Sequence, residues 1–209
     1  MKLEVGQKMR RVQLICKHIF DFLASLLGLV IISPLFLAIC IAIKINDPGS
    51  AFFRQKRIGK DGKTFEIIKF RTMVLNAEKL GDGLVVQSED DPRITKVGKL
   101  LRKTSLDELP QLFNILLGQM SLIGPRPPVT YHPYNGYENY PERAKKRFQM
   151  RPGITGLAQV EKRNSATWDE RIEIDIDYVE NFSLLLDLKI LFKTLSSMKY
   201  TEEYTEQTK

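Results

Sequence analysis

Asp107 and Glu108 stand side by side in SLDELPQLFNILLGQMSLIGPRP, residues 105–127, ahead of an apolar run and a Gly-Pro-Arg-Pro turn. Neighbours on a helix point about 100° apart, so these two carboxylates do not share one proton as a dyad does. They can divide two tasks. One can attack phosphorus, as in enzymes that pass through an aspartyl phosphate. The other can hold Mg2+, which takes one or two carboxylates together with substrate phosphates. Basic residues in Gly/Pro-rich surroundings, Lys69, Arg71, Arg102, Arg126, Arg151 and Arg163, would offset the repulsion between carboxylate and phosphate. The competing reading is structural. Ser105 and Glu108 fit an S-x-x-E capping box, and acidic residues are common in a first helical turn. Pro110 favours a helix that starts near Asp107, which weakens that box.

Residues scattered from position 69 to 163 need a scaffold to act together, and local patterns supply its parts. AFFRQKRIGKDGKTFEIIKFRTM, residues 51–73, reads as strand, turn, strand, with Lys60-Asp61-Gly62-Lys63 as the hairpin turn. A helical pattern begins near Met73, and residues 81–93 read as a loop. ITKVGKLLRKTS has apolar residues at 94, 97, 100 and 101, a helical period that carries Arg102. LPQLFNILLG is a short apolar helix closed by Gly118. Gly and Pro punctuate 124–128, 133–136 and 152–156, so the middle of the chain is mostly loops on a scaffold. Trp168 to about Asn181 and residues 183–198 read as helices. On the second, Leu184, Leu185, Leu188, Leu191, Leu195 and Met198 share a face that suits either a membrane interface or the core.

No charged residue occurs from Phe22 to Ile43, a run of 22 residues. As a helix it would reach about 33 Å, enough for a bilayer core. It lies too late for an ordinary signal peptide, and no A-x-A-like cleavage site follows. Ser33-Pro34 divides it. Pro34 removes a helical hydrogen bond, and Ser33 can bond back to a freed carbonyl. Lys2, Lys8, Arg10, Arg11 and Lys17 precede the run, and Lys44, Arg54, Lys56, Arg57, Lys60 and Lys63 follow it. The positive-inside rule puts both flanks in the cytoplasm, which a re-entrant helix broken at Ser33-Pro34 satisfies. An ordinary kinked transmembrane helix is the alternative, since proline is tolerated in these.

Composition narrows the class. Of 209 residues, 27% are charged and 43% hydrophobic, which describes an ordered domain with an appendage. The net charge of +7 suits an anionic partner: acidic lipid, a phosphate-bearing substrate or nucleic acid. Nucleic acid is disfavoured, because the basic residues flank a membrane segment and no binding motif occurs. Cys16 and Cys40 lack metal spacing and imply no disulfide framework, which favours a reducing, intracellular location. His18 and His132 are far apart in sequence and make no persuasive ligand set. No GxxxxGK[ST] loop, strand-borne GxGxxG, HExxH or GxSxG is present. The rival from another class is a membrane-tethered scaffold that binds anionic lipid; it would need neither Asp107 nor Mg2+.

From about Lys17 to Lys193 the chain resembles the small monotopic phosphoglycosyl transferases of the bacterial sugar transferase family. The matching stretches are KHIFDFLASLLGLVIISPLFL, FFRQKRIGKDGKTFEIIKFRTM, DDPRITKVGKLLRKTSLDELPQL, GQMSLIGPRPP, RPGITGLAQV and DIDYVENFSLLLDLKIL. DELPQ followed by SLIGPRP is the most specific part. With the residue patterns, the resemblance implies an α/β fold, mainly helical with a small β-hairpin. Residues 1–45 would be a re-entrant helix–break–helix and 46–200 the catalytic domain, with 201–209 a polar tail. The expected location is the cytoplasmic face of the bacterial inner membrane.

The activity implied is transfer of a sugar 1-phosphate from a UDP-sugar to a polyprenol phosphate, usually undecaprenol phosphate. The products are UMP and a polyprenol diphosphosugar, the first lipid-linked intermediate of a glycoconjugate. Asp107 matches the nucleophile of a covalent phosphosugar intermediate, and Glu108 matches the carboxylate associated with Mg2+, with Asp107 beside it. Lys69, Arg102, Arg126 and Arg163 match basic residues of the active site, and Ser33-Pro34 matches the membrane break. Asp175 and Asp187 fall in an acidic C-terminal motif, with an active-site role and a structural ion pair both open. Lys162 stands where family members often have glycine, which leaves the pose of Arg163 open. The sugar and the glycan pathway are not encoded in any recognisable way, and a homodimer is left open.

Overall fold

The computed structural model describes residues 2–77, 80, 91–162 and 165–197. Its first element, α1 (Lys2–Asn46), is one helix of 45 residues with Pro34 inside it. The expected interruption into two helices is not found. The reason is local: Pro34 leaves the Val30 carbonyl without its helical N–H partner, and the Ser33 hydroxyl donates to that carbonyl at 2.8 Å. Lys8–Asn46 is long and apolar enough to cross a membrane by length and composition.

Both ends of α1 rest on the remainder of the chain. Near its start, Arg10 Nη2 donates to the Val179 carbonyl at 2.6 Å, and Lys17 Nζ pairs with Asp187 at 2.6 Å. Asp21 accepts from Ser121 Oγ at 2.6 Å. Near its end, Ile39 and Ile43 are buried with Phe70 and Leu101. Between these anchors Leu23, Leu27, Val30, Ile31 and Leu37 are exposed. Apolar surface on that scale marks a face meant for lipid or a partner.

Asn46 leads into β1 (Phe52–Ile58), which pairs antiparallel with β2 (Thr64–Phe70), as the alternation and the turn residues predict. Asp61 in the connecting turn takes φ 54°. Side chains alternate between the two faces of the hairpin. Phe52 and Phe70 stack 5.7 Å apart on one face and meet Phe36 of α1. The other face carries Phe53, Gln55 and Arg57 opposite Lys69, Ile67 and Phe65.

Met73 does not start a helix. The backbone from Thr72 to Val74 pairs instead with Arg93 to Thr95, which uses the donors and acceptors a helix would need. Of the loop expected at 81–93, residues 81–90 lie outside the described residues. The periodic segment after it forms α2 (Lys96–Lys103), capped by the Thr95 hydroxyl. Gly98 is required there, because a Cβ on it would lie 1.9 Å from the Thr72 carbonyl oxygen.

A 3-10 turn at Leu106–Glu108 precedes α3 (Gln111–Leu116), and Gly118 ends that helix with φ 72°. β3 (Ser121–Ile123) is followed by the short α4 (Glu142–Lys145) and by β4 (Gly153–Thr155). β3 and β4 pair in parallel, a second small sheet absent from the sequence reading. α5 (Leu157–Lys162), α6 (Trp168–Glu180) and α7 (Leu184–Ser197) complete the described chain. Ile123 and Met150 pack with Tyr178, Val179, Phe182 and Ile190 in one core cluster. α7 buries Ile190 but exposes Leu185, Leu188, Phe192 and Leu195, so its apolar residues face two ways. The architecture is mostly helical with small sheets. The tail 201–209 lies outside the described residues.

Candidate active site

Ser105 sets the course of the chain at both carboxylates. It adopts the left-handed φ of 54° and makes no capping hydrogen bond, so the S-x-x-E box does not form. Such a conformation costs a non-glycine residue about 1–2 kcal/mol. It directs the chain into the Leu106–Glu108 turn before α3 begins. A true capping box occurs elsewhere, between Thr167 and Glu170 at the start of α6.

Freed from capping, Glu108 meets cations. Lys69 Nζ lies 2.6 Å and Arg126 Nη2 3.0 Å from its Oε1. Burial pushes the Glu108 carboxyl up, but the Lys69 and Arg126 charges overcome this and hold it well below the ordinary carboxylate range. Asp107 is different. No hydrogen bond to its carboxylate is found among the described residues. Burial raises its pKa, Lys69 opposes, the neighbouring Glu108 charge adds to the rise, and Arg102 and Arg126 oppose. Glu108 is therefore an anion held by two cations, and Asp107 a more basic carboxylate to which no donor is found among the described residues. That division suits one ligand and one nucleophile.

The cations come from separate elements. Lys69 projects from the end of β2. Arg102 comes from α2, where its Nε donates to Thr72 Oγ1 at 2.9 Å, beside the Gly98 contact. Arg126 sits on the loop after β3, and that loop is tied on three sides. Gly124 N–H donates to the Thr155 carbonyl at 2.9 Å, and Gly153 N–H to the Pro125 carbonyl at 3.0 Å. Arg147 Nη2 donates to the Arg126 carbonyl at 3.0 Å. Ile58 N–H and Arg57 Nη1 hold the carbonyls of Pro128 and Pro127. The two Gly/Pro-rich motifs thus pin each other.

Asp107, Glu108, Lys69, Arg102 and Arg126 line one cavity of about 1200 Å³. Asp175 and Asp187 do not join them. Asp175 pairs with Arg147 at 2.5 Å, with both side chains buried. Asp187 pairs with Lys17 and accepts from the Tyr178 hydroxyl at 2.7 Å. Of the two roles left open for these aspartates, the structure displays the ion pair. Arg163 lies outside the described residues, and Arg151 rests beside Gly118. The cavity also receives Arg57, Arg171, Tyr131 and His132, which the motif reading did not single out. Arg57 had a signal in the strand alternation that puts it on one face with Phe53. Arg171, inside a helical run of mixed charge, had none.

The donors fit a divalent cation shared with substrate. No group of three or more His, Cys, Asp or Glu that could hold a metal ion by itself is found among the described residues, so Glu108 and Asp107 would hold such a cation only together with substrate oxygens. Two adjacent carboxylates are a set Mg2+ takes when phosphates complete its coordination, and the neighbouring Lys69, Arg102 and Arg126 are of the residue types that accommodate phosphate.

Comparison with known proteins extends this picture. A model of the family described as bacterial sugar transferase matches residues 12–200. The chain is 42% identical over 197 residues to the exopolysaccharide production protein ExoY of Sinorhizobium fredii, covering 88% of this chain and 85% of that one. It is 43% identical over 191 residues to the UDP-glucose:undecaprenyl-phosphate glucose-1-phosphate transferase of Caulobacter vibrioides, covering 89% and 70%. It is 41% identical over 191 residues to the undecaprenyl-phosphate galactose phosphotransferase of Salmonella typhimurium, spanning 85% of this chain but 39% of that protein. The match takes in every element that lines the cavity, and the chain belongs to the bacterial sugar transferase family.

Proposed function

We propose that this protein transfers a sugar 1-phosphate from a UDP-sugar to a polyprenol phosphate at a membrane surface. The relatives named for UDP-glucose and undecaprenyl phosphate support the reaction class. The observation that carries the reading is the asymmetric pair: Glu108 clamped by Lys69 and Arg126, and Asp107 beside it with no donor among the described residues.

In the first step an Asp107 carboxylate oxygen attacks the β-phosphorus. A new oxygen–phosphorus bond forms, the bond to the UMP oxygen breaks, and UMP leaves with that electron pair. In the second step a phosphate oxygen of the polyprenol phosphate attacks the same phosphorus. The bond to Asp107 breaks, which restores the carboxylate and releases polyprenol diphosphosugar. Lys69, Arg102 and Arg126 offset the charge on the transferring phosphoryl group. Glu108, with Asp107 beside it, would hold Mg2+, which when bound neutralises diphosphate charge.

The same reading makes α1 a re-entrant helix, with the globular part on the cytoplasmic face of the bacterial inner membrane. Both ends of α1 bind one body, while its middle is apolar and exposed. A helix that crossed the bilayer would carry its ends to opposite sides. The basic flanks agree with a cytoplasmic position for both.

The test is UMP release from a panel of UDP-sugars with undecaprenyl phosphate. Wild type is expected to turn over, to stop with a chelator and to recover with Mg2+. Without acceptor, labelled UDP-sugar should leave label on wild type and none on Asp107→Asn. Full turnover by Asp107→Asn would return the two carboxylates to a structural role.

A further inference from the structure

α3 is apolar except at its first residue, Gln111, and at Asn114, which is fully buried. Asparagine suits a helix interior poorly and is costly to bury without partners. Both ends of its side-chain amide are engaged here. Oδ1 accepts from the Ile68 N–H at 3.0 Å, and Nδ2 donates to the Glu66 carbonyl at 2.7 Å and to Gln119 Oε1 at 2.8 Å. A flipped amide would set donor against donor and oxygen against oxygen, so these partners fix its orientation.

Ile68 and Glu66 are not arbitrary partners. Along an antiparallel strand, alternate residues turn their N–H and C=O toward the neighbouring strand and away from it. Arg71 N–H donates to the Ala51 carbonyl, which assigns the odd-numbered residues of this segment to the β1 side. The even-numbered Glu66 and Ile68 therefore present their backbone groups on the free edge of β2. Asn114 pairs with that edge as one residue of a third strand would. Its own carbonyl accepts from the N–H groups of Gln119 and Met120 at 2.9 and 3.2 Å, which ties the end of α3 to the same residue.

The residue after Ile68 is Lys69, and Glu108 stands six positions before Asn114. The 2.6 Å contact between Lys69 and Glu108 thus closes one side of a ring whose other side is the Asn114 amide. Ile67, Ile115 and Met120 also join β2 to α3, but apolar packing is non-directional and does not by itself specify a register. Asn114 does not line the cavity.

We propose that Asn114 is a positioning residue for the transfer reaction: its amide fixes β2 against α3 and so sets Lys69 on Glu108, without touching substrate. The inference rests on the phosphoglycosyl transfer reading of the cavity.

The test is single-turnover UMP release by the full-length enzyme in detergent, with Mg2+, UDP-sugar and undecaprenyl phosphate, followed for hours so that slow variants stay measurable. Asn114→Ala should lower the rate by about tenfold to a hundredfold, the scale of a misplacement of about 1 Å, with little change in the half-saturating UDP-sugar concentration. Lys69→Met is slow for its own reason. Asn114→Ala added to it should cost much less than in wild type, because two residues that act through one contact are not additive. A merely structural Asn114 would lower the rate by the same factor in both backgrounds. Should a thermal scan show Asn114→Ala unfolded, Gln119→Ala loosens one side of the amide and keeps both β2 partners. It should give a smaller loss with the same dependence on Lys69. For whichever variant folds, equal factors in the two backgrounds, or an undiminished rate, would overturn the assignment. Failure of the transfer reading looks different: wild type itself would release no UMP.

Discussion

Lys17 Nζ on α1 lies 2.6 Å from Asp187 Oδ2 on α7, and the Tyr178 hydroxyl donates to the other oxygen of the same carboxylate at 2.7 Å. Lys17 is also 3.9 Å from Asp21, which accepts from Ser121 Oγ and Leu122 N–H. The start of the apolar helix is thus tied to β3, the strand that leads to Arg126. Removing one partner of a buried pair costs about 3–5 kcal/mol, because the other charge is left in place. Lys17→Met is therefore expected to lower the unfolding midpoint in detergent. Lys17→Met with Asp187→Leu should recover much of the loss. A Lys17→Met protein as stable as wild type would show that the pair does not anchor α1.

Gly98 connects packing to the site more directly. An alanine there must push α2 away from the Thr72 carbonyl, and overpacking of this kind costs about 1–3 kcal/mol. Arg102 is held by Thr72 Oγ1, so the same displacement moves a cavity cation. Gly98→Ala should lower both the thermal midpoint and UMP release. Undiminished release from a destabilised protein would separate α2 from the chemistry.

These two devices differ in how far they show in the sequence. The hairpin, α2, α6 and α7 were legible because periodicity and turn residues are local signals, and Thr95 and Gly118 sit where a cap and a stop belong. The Asp107-Glu108 pair was legible as chemistry but equally as a cap. Only the left-handed turn at Ser105, which depends on how α2 meets α3, removes the cap. The Arg147–Asp175 pair joins residues 28 apart in sequence. No spacing rule announces such a contact, so Asp175 read as well for the active site as for the core. The β3–β4 pair is equally silent, because three-residue strands carry no period. Met73 misled because backbone pairing with Ile94 took precedence over a local helical pattern.

The opposite shifts of the two carboxylates predict a pH profile. In the proposed mechanism Asp107 must be ionised to attack, and its pKa is raised by burial and by Glu108 against the opposition of Lys69, Arg102 and Arg126. The acid limb of single-turnover UMP release should therefore lie above about 3.9, the unperturbed aspartate value. Lys69→Met removes the largest opposing charge and should move that limb higher still. Glu108 acts on stability with the other sign. Its folded-state pKa is depressed, so its contribution is complete above about pH 4.3, the unperturbed glutamate value, and is lost as pH falls through the folded value. Activity should thus fall at a pH where the fold persists. Rapid-quench UMP release and circular dichroism over one pH series compare the two, and coincident losses would refute the assignment of the limb to Asp107.

The last prediction concerns the path of α1. Its start is bound at Val179 and Asp187 and its end beside Phe70 and Leu101, so both ends belong to one side of the membrane if these contacts hold. With Cys16 and Cys40 replaced, single cysteines at Gly6 and Lys60 should react with an impermeant maleimide in inverted vesicles and not in right-side-out ones. Ser33 and Pro34 control the outcome through one carbonyl. Pro34 takes the N–H away from Val30, and the Ser33 hydroxyl replaces it. Leucine at both positions restores an ordinary helical hydrogen bond to the Val30 carbonyl, and an apolar run of about 33 Å without a proline fits a bilayer core. The doubly substituted chain should then move Gly6→Cys to the outer face, at the expense of the Lys17–Asp187 contact. Labelling of the unmodified helix from opposite sides would mean that α1 crosses, and that its contacts with α6 and α7 do not persist in the membrane.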